Sequence, residues 1–238
     1  MIEIKSQFLI GDIITLKTHP LFKSFRIKGD SKYVPPLMIV KEVIFESKKK
    51  KTFDEETGKE IAERIKYICC YFDDNKSEFN EVSLYEKMLR KFTELKLERI
   101  NRDGTTTTGE TLKKEVLEYD LPLYEFGKIV SFKTKKLEIF KKRSTKKIPL
   151  TNGKIIKDEI KEVIQYVVNY ATPDFVICGY KKEIYKDLFY IDGKKKRLAP
   201  TDFLKVQWFN PIQQKFSEQY LPLEFFTEEL DLNGKDSN

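Results

Sequence analysis

The residues with the best claim to catalysis are Asp174, Asp192 and Lys194, because Pro173-Asp174 followed by Asp192-Gly193-Lys194 imitates the spacing of metal-dependent nucleases. In such sites two carboxylates hold magnesium and a lysine steers the attacking water. The flanking residues argue for something plainer: Asp192-Gly193 is a turn signature, and the helix-flanked sheet such a nuclease needs is not legible around it. Asp73-Asp74-Asn75 with Glu78 could hold a hard cation, yet a hairpin turn is the better reading, since the repeat described below has Asn210-Pro211-Ile212 there. The chain has one histidine, His19, which stands before Pro20 and reads as a loop residue. Cys69 and Cys70 are adjacent, so in a strand they point to opposite faces, and Cys178 falls in another strand-like run. Three cysteines make neither a disulfide framework nor a four-thiolate metal site and suit a reducing, cytoplasmic setting. No G-x-x-x-x-G-K-[ST] loop and no G-x-G-x-x-G fingerprint occurs. The reading is therefore a non-enzyme, with no catalytic residue, no metal and no cofactor.

Binding chemistry is better represented. Between Lys133 and Lys157 ten basic residues face one acid, Glu138, a local net of +9 in a chain whose whole balance is +7. Lys135, Lys136, Lys141, Lys142, Arg143, Lys146 and Lys147 lie there, and a second run, Lys194-Lys195-Lys196-Arg197, sits at a hairpin tip. Concentrated charge of this kind attracts nucleic-acid phosphates or an acidic protein surface. Aromatic side chains beside a basic groove serve as stacking platforms. Tyr180, Tyr185 and Tyr190 are placed for that role near the second run, whereas Phe72, Trp208 and Phe209 are expected in the core.

The elements that would position these groups come in duplicate. Pro36 to Val40 resembles Pro173 to Ile177, and Tyr71-Phe72 resembles Trp208-Phe209, at a constant offset of 137 that also relates Phe79 to Phe216 and Leu84 to Leu221. Upstream, Gly11 to Thr18 resembles Gly127 to Thr134 at an offset of 116, so the second copy carries an insertion, and the insertion holds the basic stretch. Both copies close on Phe-Thr-Glu, at Phe92 and at Phe226. Short β-branched and aromatic runs bounded by Gly, Pro, Asp or Asn dominate both, and Leu204-Lys-Val-Gln-Trp-Phe209 alternates as a half-buried strand does.

The order Gly-Asp-Ile-Ile-Thr-Leu-Lys (11–17), Pro-Leu-Met-Ile-Val (36–40), Cys-Tyr-Phe (70–72), Phe79 and Leu84 resembles the small bacterial YodC-like family. Those proteins resemble KOW and Tudor domains in having SH3-like β-barrels. The resemblance spans most of the first copy and reaches the second through the repeat; Val34-Pro-Pro36 departs from the family's glycine-glycine-proline turn. It implies a fold and brings no activity with it.

The expected architecture is mainly β: two tandem SH3-like small barrels, the first over 1–100 and the second over 123–232, with a basic, partly helical insertion near 135–170. The helix is drawn from the spacing of Ile156, Ile160, Val163, Ile164 and Val167. Residues 101–122 form a linker in which 110–122 either form a short helix or add a strand, the helix being preferred, and 233–238 a tail. No apolar stretch is long enough to span a membrane. The leading expectation is nucleic-acid backbone binding without base specificity. Its rival is a protein-interaction adaptor or accessory subunit of a larger bacterial complex, and a metal-dependent nuclease comes third.

Overall fold

The computed structural model describes residues 5–19, 34–47, 52–53, 55–61, 64–92, 94–97, 112–115, 121–137 and 172–228. The strands are β1 (Ile13–Leu16), β2 (Met38–Phe45), β3 (Thr52–Phe53), β4 (Glu60–Ile61), β5 (Ile65–Asp73), β6 (Glu78–Tyr85), β7 (Leu89–Lys91), β8 (Glu94–Leu97), β9 (Leu112–Glu115), β10 (Ile129–Phe132), β11 (Asp174–Lys182), β12 (Arg197–Leu198), β13 (Asp202–Asn210), β14 (Lys215–Pro222) and β15 (Phe226–Glu228). The chain is mainly β, as its composition of short β-branched runs predicts. Among the described residues no helix is long and apolar enough to cross a membrane.

Two antiparallel sheets carry the fold, ordered β6-β5-β2-β1-β7 and β14-β13-β11-β10-β15. The duplication is written into their backbones. Gly11 and Gly127 both adopt φ +84° and donate their N–H to Val40 and Ile177, at 2.9 and 2.8 Å. A bulge shifts register between Val40 and Glu42 in β2, and another between Ile177 and Gly179 in β11, bending each sheet at the same place. The β5–β6 and β13–β14 turns each pass through a left-handed residue, Ser77 and Gln214. A 3-10 turn precedes the last strand of each sheet, at Glu86–Met88 and Leu223–Phe225.

Three expectations are corrected. The end strands do not pair with one another, so the sheets are open rather than closed barrels. Part of the reason is that the second sheet's inner face is covered by the first half instead of by its own closure. The edges are short or charged instead: β7 and β15 have three residues each, and Arg90, Lys91 and Glu228 are exposed on them. Next, Leu112–Glu115 is a strand paired with β8, not the helix preferred over 110–122. Finally, Leu89, not Phe92, is the counterpart of Phe226, since Leu16 faces Leu89 as Phe132 faces Phe226. The helix drawn over 156–167 lies outside the described residues.

The core explains why Cys69 and Cys70 are both buried. One face of the first sheet closes over Ile14, Met38, Val40, Val43, Tyr67, Cys69 and Leu89. Its other face, with Ile13, Ile39, Cys70, Phe72 and Phe79, joins Phe132, Phe175, Val206, Trp208 and Phe225 in a core shared with the second half. Phe79 lies 5.3 Å from Phe132 and 5.6 Å from Trp208, ring centre to ring centre, in edge-on contacts. The thiols are inert by the same burial: Cys69 is pushed up to about 12 and Cys70 is raised as well.

Candidate functional site

The loop joining β11 to β13 gathers the second basic run and two of the three tyrosines singled out. Asp192-Gly193 makes the turn its sequence promised: Gly193 at φ +75° donates to Tyr190 O at 2.9 Å, and Tyr190 donates to Lys194 O at 2.8 Å. Below the turn, the Lys196 N–H reaches Leu188 O at 2.8 Å. The chain then crosses to the other half. Strand β12 pairs with the end of β2, Arg197 opposite Ile44 and Leu198 opposite Val43. That site is open because β1 covers only the start of the eight-residue β2.

Two side chains lock the crossing. The Tyr190 hydroxyl donates to Phe45 O at 2.7 Å. The Arg197 guanidinium donates to Glu42 at 3.1 Å and Asp187 at 2.7 Å, and stacks 4.6 Å over the Tyr185 ring. Tyr185 in turn donates to Glu183 at 2.7 Å, and burial, then Glu183, raises its hydroxyl well above the usual range. Tyr185 and Tyr190, expected as stacking platforms, also hold this crossing together.

The lysines of the run are mostly spent. Lys194 pairs with Asp192 across the turn, and Lys196 lies 3.6 Å from Asp187. Asp192 and Asp187 are held below the carboxylate range, by Lys194 and by Arg197 respectively. Lys195 makes no ion pair among the described residues. What sequence reasoning missed is apolar: Ile184, Phe189 and Ile191 stand in solvent around it, Ile191 completely so. The signal was present, since Phe189 and Ile191 alternate with Tyr190, and only one side of that alternation can face inward.

The other candidates are dispersed. Lys135 pairs with Asp174, which also accepts from Ser131 Oγ at 2.8 Å; although burial works against its charge, these two bonds keep the Asp174 carboxyl below its usual range. Asp174 and Asp192 each have their own lysine, and among the described residues no three His, Cys, Asp or Glu side chains gather for a metal. Lys133, counted in the basic stretch, is buried, and burial disfavours its charge and lowers its ammonium, an effect that the nearby Glu224 and Asp12 carboxylates only partly offset. Lys136 lies in a 3-10 turn over Lys133–Leu137. Lys141, Lys142, Arg143, Lys146 and Lys147 lie outside the described residues. Tyr180 stays half exposed, its ring 5.5 Å from Tyr124 and its hydroxyl bonded to Asp202. His19 is a loop residue, as expected, yet one fully buried against Phe92, and burial lowers it to about 4.

Compared with protein-family models, curated proteins and solved structures, the chain finds no match.

Proposed function

We propose that this chain is a non-catalytic adaptor or accessory subunit that docks an acidic-rimmed protein surface through the loop 183–201. One observation carries the reading: Phe189 and Ile191 stand exposed beside Lys195 on a loop whose base is fixed to the other half by β12, Tyr190 and Arg197. Apolar side chains held ready in solvent have already met the ordering cost of binding, and they gain from a protein partner what a phosphate backbone does not offer. The strand order supports SH3-like modules, since in each half the last strand returns beside the first after a 3-10 turn.

The test compares what the purified chain and a Phe189→Ser, Ile191→Ser, Lys195→Glu variant retain from an extract of the source cells. A protein held by the wild type and lost by the variant supports docking; equal retention, or none, overturns it. The concentration of charge between 133 and 157 favours a second reading, nucleic-acid backbone binding through Lys135, Lys136, the Lys141–Lys147 segment and Lys194–Arg197. Anisotropy with labelled DNA and RNA at several salt concentrations would then show a steep salt slope. That slope would vanish when Lys141, Lys142, Arg143, Lys146 and Lys147 become glutamate.

A further inference from the structure

The contact between the two halves is a plug in a mouth. On the plug side, Phe72 and Phe79 rise from the outer face of the first sheet, and the β5–β6 turn presents the carbonyls of Lys76 and Ser77. On the mouth side, Phe132, Phe175, Trp208 and Phe225 line the inner face of the second sheet. Trp208 Nε1 donates to Ser77 O at 3.0 Å, and Asn210 Nδ2 donates to Lys76 O and Ser77 O at 3.1 and 3.0 Å.

Because the halves are repeats, each surface exists twice; among the described residues the second plug is exposed, and the mouth face of the first sheet is filled by that sheet's own core except at its rim. The plug positions Ile13, Ile39, Phe72 and Phe79 correspond to Ile129, Val176, Phe209 and Phe216. The first set is at most 9% exposed, whereas the second is 45, 41, 51 and 70% exposed. The expectation that Phe209 lies in the core is corrected here: its bulk matches Phe72 because the position is a plug, not because it is internal. The second plug is formed and aligned, with Ile129 opposite Val176 and the Phe209 and Phe216 rings 5.5 Å apart, against 5.0 Å for Phe72 and Phe79. Its turn repeats the left-handed step, at Gln214 as at Ser77. The mouth positions Phe132, Phe175, Trp208 and Phe225 correspond to Leu16, Met38, Tyr71 and Met88. The former are sealed by the first half; in the first sheet Met38 is buried in that sheet's own core, while at the rim Leu16 and Tyr71 are half-buried and Met88 is 49% exposed.

We infer that this chain self-associates head to tail, the exposed plug of one copy (Ile129, Val176, Phe209, Phe216) seating on the accessible rim of the first sheet's mouth in the next (Leu16, Tyr71, Met88). The plug lies on the second sheet and the receiving rim on the first, so the contact is heterologous and builds rings or open chains, not isologous pairs. The surface is separate from the loop 183–201, so either proposal can fail without the other.

Sedimentation velocity decides it, across a series from about 1 to 200 µM in which a micromolar interface would fill. Phe216→Asp removes the plug and Met88→Asp the mouth; both side chains are largely exposed, and Trp208 fluorescence checks that each variant is folded. The wild type gains mass with concentration, each variant alone stays monomeric, and an equimolar mixture forms a one-to-one dimer that grows no further, since its outer ends are both disabled. A wild type that stays monomeric throughout overturns the inference. So does a Met88→Asp chain that still pairs with itself, which would mean plug-to-plug contact, or a mixture that forms no dimer.

Discussion

The indole N–H of Trp208 donates to the main-chain carbonyl of Ser77, 3.0 Å away and in the other half of the duplication. A bond of this kind, inside a core built jointly by both sheets, makes the halves one cooperative unit instead of two beads on a string. Trp208 is the chain's one tryptophan, so its fluorescence reports on this contact alone. Unfolding followed by that fluorescence and by far-ultraviolet circular dichroism should give coincident transitions. Trp208→Phe keeps the ring contacts, leaves the Ser77 carbonyl to Asn210, and should cost roughly 1 to 2 kcal/mol.

Gly11 and Gly127 separate two costs that usually travel together. Both sit at φ +84°, which an alanine resists by roughly 1 kcal/mol or slightly more. A Cβ on Gly127 meets nothing within 4 Å, but one on Gly11 would lie 3.0 Å from Glu224 Cβ and 3.3 Å from its carbonyl oxygen. Gly11→Ala should therefore destabilise by about 1 to 3 kcal/mol beyond Gly127→Ala in denaturant titration. Equal losses would mean that the halves shift apart freely at Glu224.

Removing the Arg197 side chain leaves Glu42, itself mostly buried, with a charge and no guanidinium. Arg197→Met should cost about 2 kcal/mol, with Arg197→Met plus Glu42→Gln recovering part of it. Lys194→Met, on the exposed tip, should stay within about 0.5 kcal/mol of wild type.

His19 sets an acid limit. Burial holds its folded value near 4, so it stays neutral in the fold while the unfolded chain takes up a proton near 6.5. Its contribution is complete above that unfolded value and drains away as pH falls toward 4, by roughly 3 kcal/mol at most. Between pH 7 and pH 4 the wild type should lose more stability than His19→Gln by about that margin, and parallel pH profiles would count against it.

Much of this was legible in the sequence, and the gaps have a common cause. The repeat, its strands and the Asp192-Gly193 turn follow from periodicity and turn chemistry, which are local. Phe72 and Phe209 are indistinguishable locally, and only the placement of one half on the other makes the first internal and the second external. Cys69 and Cys70 illustrate the same limit, since alternation assigns them opposite faces but not that both faces are covered. In the basic run, spacing revealed the charge of Lys194, Lys196 and Arg197 but not Asp187 and Glu42, the acids that absorb much of it. For strand β9 the sequence leaves helix and strand both open, because its partner lies across a stretch of turn formers and its own four residues carry little apolar signal.

The pairing of Arg197 with Ile44 also imposes a timetable on the newborn chain. Strand β2 leaves the ribosome with part of its hydrogen-bonding edge bare, and the residues that cover it are made roughly 150 positions later, about 8 to 30 seconds at ordinary elongation speeds. For that interval the first half offers a vacant strand edge and an unsealed aromatic face to whatever is nearby. Cells making this protein therefore have reason to hold the emerging first half until the second arrives, and synthesis rate, as much as sequence, should govern how much of it matures.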